Sequence, residues 1–461
     1  MILDKLLPPC KIHMIGIGGV SMSGLAEILK NKGYQVTGSD INKSHLTDTL
    51  IQNGIPVFFN HDANNVKGAN AVVYTAAIKK DNPEYHYAEI NKIPLIERSV
   101  LLGEITKMFN NTIAIAGTHG KTTTTSMLAV SFLEANMDPT ISVGGELPAI
   151  NSNYKIGNSE YFITEACEYV ESFLTLAPHC AIILNVEEDH LDYYKDINHI
   201  KSSFNKFASK IDTNGYLVIN NDDINCKDIN CNAKRITFGI ENDSTFMAKN
   251  ITINSEFTEF DFIENNKKIA RLKLIVPGNH NIYNALACLS VCRLYNIPLD
   301  KVIYALSTFS GAKRRFEFKG NANGILIYDD YAHHPSEIKA TLKAAKGKKK
   351  NKIWCVFQPH TYSRTKALLN EFSEAFYDAD NVIITDIYAA REKDNGEISS
   401  KDLVEKISST SKNAIYIKDF ENIISYLKEN ATKNDLIFTI GAGNVYKIGE
   451  ELLTKNKPTV K

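Results

Sequence analysis

No apolar run in the 461 residues approaches the roughly 20 that a bilayer-spanning helix needs, so membrane insertion is not expected. Pro8-Pro9 also interrupt the N-terminal stretch before a signal-peptide core develops. Charge of one sign is missing too: 52 Lys+Arg against 53 Asp+Glu leave a net charge of −1. That excludes a broad phosphate-neutralising surface and makes nucleic acid an unexpected partner. Any bound anion must be gripped locally. The eight cysteines form no C-x-x-C pattern, and Cys288 and Cys292, one helical turn apart, read as small apolar packing groups. Reduced thiols in a cytoplasmic protein, without a cysteine zinc site, are the expectation. There is no low-complexity linker and no internal repeat. Arginine is scarce, 8 of the 52 basic residues, yet Arg314, Arg315, Arg364 and Arg391 all fall in polar motifs. In a lysine-rich chain such positions suggest a need for a planar, two-pronged donor.

The length allows two to four domains with full cores. Apolar content of 44% and charged content of 23% are those of a globular protein. Strand–helix alternation divides the chain into three α/β blocks. The first has strands at 11–16, 34–38 and 71–75 around a helix at 20–32. The second has strands at 112–116, 161–165, 181–185 and 216–220, then period-2 alternation over 246–254, 256–263 and 269–276, which predicts a small antiparallel annex. A helix at 281–295 follows. The third has strands at 325–328, 353–357, 382–385, 414–417 and 436–440, predicting another parallel sheet.

The segment Thr112–Leu128 carries the strongest chemical signal. A buried strand runs into Gly117-Thr118-His119-Gly120, then Lys121-Thr122-Thr123 opens a helix. Two glycines permit a tight turn whose N–H groups, with the helix N-terminus, face an anion. Lys121 would reach the terminal phosphates of a nucleotide, and the Thr122 hydroxyl would hold Mg²⁺. The standard P-loop spacing would put its first glycine at Ile115; Gly117 stands instead, so the loop is tighter.

An earlier glycine turn, Gly16, Gly18 and Gly19 before Val20-Ser21, links strand to helix, and Ser39-Asp40 closes the next strand. It matches a diphosphate cradle in which Ser21 replaces the third glycine, with Asp40 or Ser39 free to bond a ribose or base. The motif does not distinguish NAD, FAD and a UDP-sugar. Glu165 and Glu188-Asp189-His190 end strands of the second block, where open α/β sheets place ligands, and oxygen donors opposite Thr122 suit Mg²⁺. His190 could hold a second ion. Asn281 and Asn284 are N-caps or amides for adenine or phosphate. Arg314-Arg315, at the join of blocks two and three, could clamp a phosphate with one guanidinium while the other meets solvent or a carboxylate. Tyr328–Ile338 and Phe357–Thr365 set further polar residues at strand ends.

In order, HMIGIGGVSMSG, GTHGKTT, EACEYVESFL, the EDH after Asn185-Val186, GNHNIYN, KRRFE, DDYAHHP, FQPHTYSRT and GAGN resemble the Mur ligase family over essentially the whole chain. These are ATP-dependent, amide-forming enzymes of peptidoglycan synthesis. FQPHTYSRT resembles the branch that adds L-alanine to UDP-N-acetylmuramate. The branch that recycles a tripeptide onto the same sugar nucleotide shares the glycine loops and a DD-x-x-HHP segment. An NAD(P) oxidoreductase would leave the second loop unexplained, and a non-catalytic nucleotide binder would leave Lys121, Thr122 and Glu165 without a task.

The resemblance implies a three-domain α/β architecture: a Rossmann-like UDP-sugar domain (1–110), a central P-loop ATPase domain with the annex (111–312) and a C-terminal Rossmann-like domain (313–461) that closes over the others. It implies ATP and Mg²⁺, an acyl-phosphate intermediate, a cytoplasmic location, and a monomer or weak homodimer. Gly117, Thr118, His119, Gly120, Lys121, Thr122, Thr123 and Asn281 match ATP-binding positions; Thr122, Glu165 and His190 match metal ligands. Gly16, Gly18, Gly19, Val20, Ser21, Ser39, Asp40 and Thr75, in or near the YTAAI stretch that includes Ala76, match UDP-sugar contacts. Tyr331, His333 and Arg364 match positions near the amino acid. Lys121, Glu165, His190, Arg314, Arg315 and His333 are the implied catalytic set. The chain departs from many relatives at Cys167, where they carry Asp, and at Ala332, where they carry Gly. Cys167 is expected to be a buried, inert thiol.

Overall fold

The computed structural model describes residues 5–454 apart from 76, 192, 255, 391, 411 and 412. Ala76 and Arg391 therefore lie outside the described residues. Three sheets carry the chain. The first is wholly parallel, in the order β3-β2-β1-β4-β5, from β1 (Lys11–Ile15), β2 (Gln35–Ser39), β3 (Val57–Phe58), β4 (Ala71–Tyr74) and β5 (Leu95–Glu97). Alternation along β1 sends Ile12 and Met14 into the core shared with helix Val20–Asn31, whereas His13 and Ile15 face the other side.

The central sheet has ten strands: β6 (Asn111–Ala116), β7 (Thr140–Leu147), β8 (Ser152–Lys155), β9 (Tyr161–Glu165), β10 (Cys180–Ile183), β11 (Tyr216–Asn220), β12 (Lys234–Gly239), β13 (Phe246–Ile253), β14 (Thr258–Glu264) and β15 (Lys267–Leu274). The antiparallel β13-β14-β15 is the predicted annex, but it continues the main sheet, because Phe238 and Gly239 of β12 pair with Phe246 and Met247. A second antiparallel pair, β7-β8, lies at the opposite edge. Both faces of β6 are covered: Ile113 and Ile115 pack under helices Lys121–Glu134 and Asn279–Leu294, and Ala114 and Ala116 pack on the side of helix Ile197–Ala208. This explains why its sequence reads as an unbroken apolar run.

The third sheet runs β16-β17-β21-β18-β19-β20, from β16 (Glu317–Ala322), β17 (Ile325–Asp330), β18 (Ile353–Phe357), β19 (Asn381–Ile384), β20 (Ala414–Tyr416) and β21 (Leu436–Ile440). The expected parallel sheet gains an antiparallel edge strand, β16, paired with β17. Its residues, EFKGNA, are mostly polar and only partly buried, so they lack the apolar period of a central strand. Ala332 packs in this domain's core without a left-handed backbone, so its methyl group is accommodated.

Candidate active site

At the C-terminal end of β1, Gly16 takes a left-handed φ of 77° and the Gly18 N–H donates to Asp40 Oδ2 at 2.9 Å. A Cβ on Gly18 would lie 2.7 Å from Thr47 and 2.8 Å from that carboxylate, so the close approach requires glycine. Ser21 Oγ accepts from Arg98 at 3.2 Å. Thr75 follows β4 on the same rim, and Val20 is 46% exposed there. Ser39 departs from expectation. Its hydroxyl is fully buried and donates to Glu84 Oε2 at 2.5 Å, inside a network with His13, His61 and Asn65, so it is not presented to a ligand. Burial pushes the Glu84 carboxyl up, but the His13 imidazole 3.6 Å away and hydrogen bonds from Ser39 and Asn65 outweigh it and hold it at about 2.

After β6, Gly117 (φ 140°) and Gly120 (φ 85°) make the second turn. Asn185, just beyond β10, clamps it: its Oδ1 accepts the His119 N–H at 2.8 Å, its carbonyl accepts the Thr118 N–H at 3.1 Å, and its Nδ2 donates to the His119 carbonyl at 3.1 Å. The amides of Thr118 and His119 are thus spent on Asn185 rather than offered to phosphate. The anion-facing donors are those of the helix's first turn from Lys121, which helical geometry leaves without partners. A Cβ on Gly120 would meet Asn284 Oδ1 at 2.6 Å. Asn281 and Asn284 are not caps; Gly278 holds the N-cap position, and the two amides form a buried chain from Thr124 to the Pro277 carbonyl. They border a cavity of about 580 Å³, with Tyr283, Leu184 and Val276, that has the size and mixed lining of a nucleobase pocket.

Lys121 Nζ donates to both oxygens of Glu168 at 3.0 and 2.8 Å and to the Thr118 carbonyl at 3.1 Å. Burial alone would lower its pKa; the Glu168 carboxylate reverses that and raises it. Glu165 Oε1 accepts the Gly144 N–H at 2.6 Å. A Cβ on Gly144 would strike Glu165 at 2.8 Å, and one on Gly145 would lie 3.4 Å from Thr122. One glycine pair therefore approaches both the Thr122 methyl group and the Glu165 carboxylate, and both residues line the same cleft. His190, held at φ 54°, lies 3.6 Å from Glu168 and 3.7 Å from Asp189, and its buried Nδ1 has no hydrogen-bond partner. Burial lowers its pKa, so it is a neutral imidazole. A hard dication suits the oxygen donors of Thr122 and Glu165, and a second could sit at His190 with Glu168 beside it. Cys167 is exposed at this cleft rather than buried; surrounding protein and the Glu168 charge raise its pKa, which keeps it a thiol.

The third domain supplies the far wall of this cleft, about 690 Å³ in volume. Arg314 contradicts its expected catalytic place. Its guanidinium is consumed by buried Asp329 (2.9 Å) and by the carbonyls of Gly443 (3.0 Å) and Gly441 (2.6 Å). Those three bonds hold a strained join, where Arg314 and Phe316 sit at φ 61° and 49°. Arg314 and Arg315 both line the cleft and both lie over the Tyr331 ring, but Arg315 is the less committed of the two, with the Glu337 carboxylate 4.0 Å away. His333 Nδ1 lies 3.0 Å from the Tyr331 carbonyl; since a carbonyl only accepts, Nδ1 carries the proton and Nε2 the lone pair. Burial lowers this imidazole to about 4. Arg364 is pinned by Asp189 through Nε (3.1 Å) and Nη2 (2.9 Å), with Nη1 3.3 Å from His360.

More contacts cross between the central and third domains. His119 Nδ1 lies 3.1 Å from Glu337 Oε1 and its Nε2 2.9 Å from Ser336 Oγ and 3.4 Å from Glu187. His334 Nε2 meets the Glu188 carbonyl at 3.0 Å and its Nδ1 meets Ser336 Oγ at 2.8 Å. Burial would lower the His119 pKa, but Glu337 and Glu187 raise it to about 10. Sequence reasoning missed Asn185, Glu168 and Gly144-Gly145. Signals existed for two of them: Asn185 stands at a strand end, and paired glycines inside a strand mark a close approach.

Family models match along the chain in this order: "Mur ligase family, catalytic domain" over residues 11–110, "Mur ligase middle domain" over 115–292 and "Mur ligase, glutamate ligase domain" over 314–443. A UDP-N-acetylmuramate–L-alanine ligase of Acetivibrio thermocellus is 52% identical over 99% of this chain and 98% of its own. One from Clostridium novyi is 51% identical over 96% of this chain and 97% of its own. Among solved structures, a UDP-N-acetylmuramate–alanine ligase from Thermotoga maritima superposes with a TM-score of 0.82 at 29% identity, covering 96% of this chain and 98% of that one. A murein peptide ligase from Psychrobacter arcticus gives 0.70 at 26% identity, covering 98% and 100%. With matching models on all three sheets and half-identity from end to end, the chain belongs to the Mur ligase family.

Proposed function

We infer that this chain joins L-alanine to the lactyl carboxylate of UDP-N-acetylmuramate, with ATP converted to ADP and phosphate. The observation that carries this reading is the half-identity to alanine ligases across the full chain. The cleft supports it by joining Lys121, Glu165 and His190 to Arg315, His333 and Arg364 in one cavity.

A carboxylate is a poor electrophile because its leaving group would be oxide. Transfer of the ATP γ-phosphoryl group to that carboxylate supplies phosphate as the leaving group and brings anions together. Lys121, released from Glu168 to the phosphates, and Arg315 offset their repulsion. Mg²⁺ held by Thr122 and Glu165, with a second ion at Glu168 and His190, would neutralise phosphate charge. The alanine amine must lose a proton before it attacks the acyl phosphate. His333, neutral and with its Nε2 lone pair available, is suited to accept it. Asp189 fixes Arg364 at the cleft wall, where its remaining edge can meet the alanine carboxylate. The Gly16–Ser21 loop and Asp40 hold the UDP moiety.

The test is phosphate release from ATP with UDP-N-acetylmuramate while L-alanine, glycine, L-serine or a murein tripeptide is added singly. The expected result is release that requires both the sugar nucleotide and L-alanine, with the new amide seen by mass. Release with the tripeptide alone would move the chain to the recycling branch.

A further inference from the structure

We propose that His119, Glu187 and His334 form a binding site for a transition-metal dication of the Zn²⁺ class, distinct from the magnesium positions, and that its occupation pins the nucleotide loop to the third domain. One ligand atom from each of these side chains lies within 4.8 Å of the others, and this is the group among the described residues that meets that criterion.

The outer contacts of the rings are those of a prepared metal site. His119 Nδ1 is held by the Glu337 carboxylate at 3.1 Å, and His334 Nε2 by the Glu188 carbonyl at 3.0 Å. Each far nitrogen is therefore anchored, which fixes ring orientation and directs the near nitrogens, His119 Nε2 and His334 Nδ1, toward each other. Between them sits Ser336 Oγ, 2.9 and 2.8 Å away, and Glu187 Oε2 approaches His119 Nε2 at 3.4 Å. Two imidazoles and one carboxylate, with the serine hydroxyl or a water as fourth ligand, suit Zn²⁺, Co²⁺ or Ni²⁺ rather than Mg²⁺. Ligands about 2.0–2.2 Å from a tetrahedral zinc stand roughly 3.3–3.6 Å apart. The cluster needs to contract by about 1 Å. Metal entry displaces the Nε2 proton of His119 to solvent.

His119 and Glu187 belong to the central domain and His334 opens the helix Pro335–Lys346 of the third. A bound ion joins the two halves of the cleft. Substrate entry and product release in a closing enzyme need those halves to part, so the ion inhibits by holding the cleft shut.

The experiment is a Co²⁺ titration of the metal-free full-length chain without nucleotide, read by visible absorption. The expected result is one equivalent with the intense bands of tetrahedral Co²⁺ and no thiolate charge-transfer band. Glu187→Gln should weaken binding at least about 10-fold, and His334→Ala should abolish the tetrahedral spectrum. Both variants are first checked for native circular dichroism, and Ser336→Ala, which spares all three ligands, should retain the bands. An absent spectrum, one unchanged in Glu187→Gln, or one with thiolate character would overturn the site. Zn²⁺ should also lower the radius of gyration in solution scattering for the wild type and not for Glu187→Gln; binding without compaction would overturn the pinning.

Discussion

The loops Gly16–Gly19 and Gly117–Gly120 both follow interior strands of a sheet and both lead into helices without a side-chain cap. Their surroundings differ. The first loop is supported within its own domain: Asp40 takes the Gly18 amide, Arg98 takes Ser21, and the buried Glu84 network lies beyond Ser39. One of its ties to the central domain is polar, the Asn153 amide donating to the Val20 carbonyl at 2.7 Å. The second loop is assembled from elsewhere. Asn185 shapes its backbone, Glu168 holds its lysine, and Ser336 and Glu337 reach its histidine from the helix Pro335–Lys346 of the third domain. A cradle that only binds can be completed by one domain. One that must bring phosphate, carboxylate and amine together is completed where domains meet.

The sharpest break of this comparison is Lys121→Ala. It should lower turnover by about 10²–10³-fold, since a preorganised charge facing the transferring phosphoryl group is lost. UDP-sugar affinity, measured by titration calorimetry, should stay unchanged because the first loop is independently supported. Loss of both would show that the loops are coupled.

The adjacent arginines come next in size. Arg314→Ala strips the buried Asp329 carboxylate of its partner and should cost about 2–3 kcal/mol of stability, toward the low end for buried pairs because Arg314 is 22% exposed. Arg315→Ala should leave the denaturation midpoint close to wild type and reduce turnover instead. Urea unfolding and phosphate release on both variants decide it, and the reverse pattern would reassign the pair.

Much of this arrangement was legible in sequence. The strands under both loops, the loop glycines and the polar strand ends follow from local period and turn chemistry, and Tyr161–Glu165 and Tyr216–Asn220 appear with the expected bounds. What escaped depends on partners far along the chain. Nothing local to Arg314-Arg315 tells which guanidinium turns inward; that is decided by Asp329, Gly441 and Gly443. Ser39 reads as a ligand contact because it ends β2, yet Glu84, 45 residues on, claims its hydroxyl. Likewise β16 lacks an apolar period because it is an edge, paired on one side with β17.

Glu84 tests the claim that the first domain supports itself. Glu84→Gln leaves Ser39 and Asn65 imperfectly paired at a fully buried position and should cost about 1–3 kcal/mol, lowering the first domain's melting temperature while ATP affinity stays constant. Its pH signature has a definite sign. The folded carboxyl lies at about 2 against an ordinary 4.5, so its contribution is fully present above pH 4.5 and is lost as pH falls toward 2. Urea midpoints of the wild type should fall between pH 5 and 3 more steeply than those of Glu84→Gln. Parallel slopes would remove Glu84 from the acid response.

The smallest expected effect concerns the reach of the third domain. Asp189 holds Arg364 through two donors to one oxygen, at 3.1 and 2.9 Å, across the central–third boundary. Asp189→Asn keeps the shape and an acceptor but removes the charge, so Arg364 remains near its place while its orientation is less firmly fixed. The amino-acid pocket should loosen by about 1–1.5 kcal/mol, the difference between a charge-assisted and a neutral hydrogen bond. The KM for L-alanine should rise about 10-fold, with kcat, the KM for ATP and the KM for the sugar nucleotide within about twofold of wild type. That split matters because Asp189 is also 3.7 Å from His190. If its main effect were on the metal-facing side, the ATP parameters would move and the alanine KM would not. The boundary contact would then belong to the nucleotide loop rather than to the acceptor site.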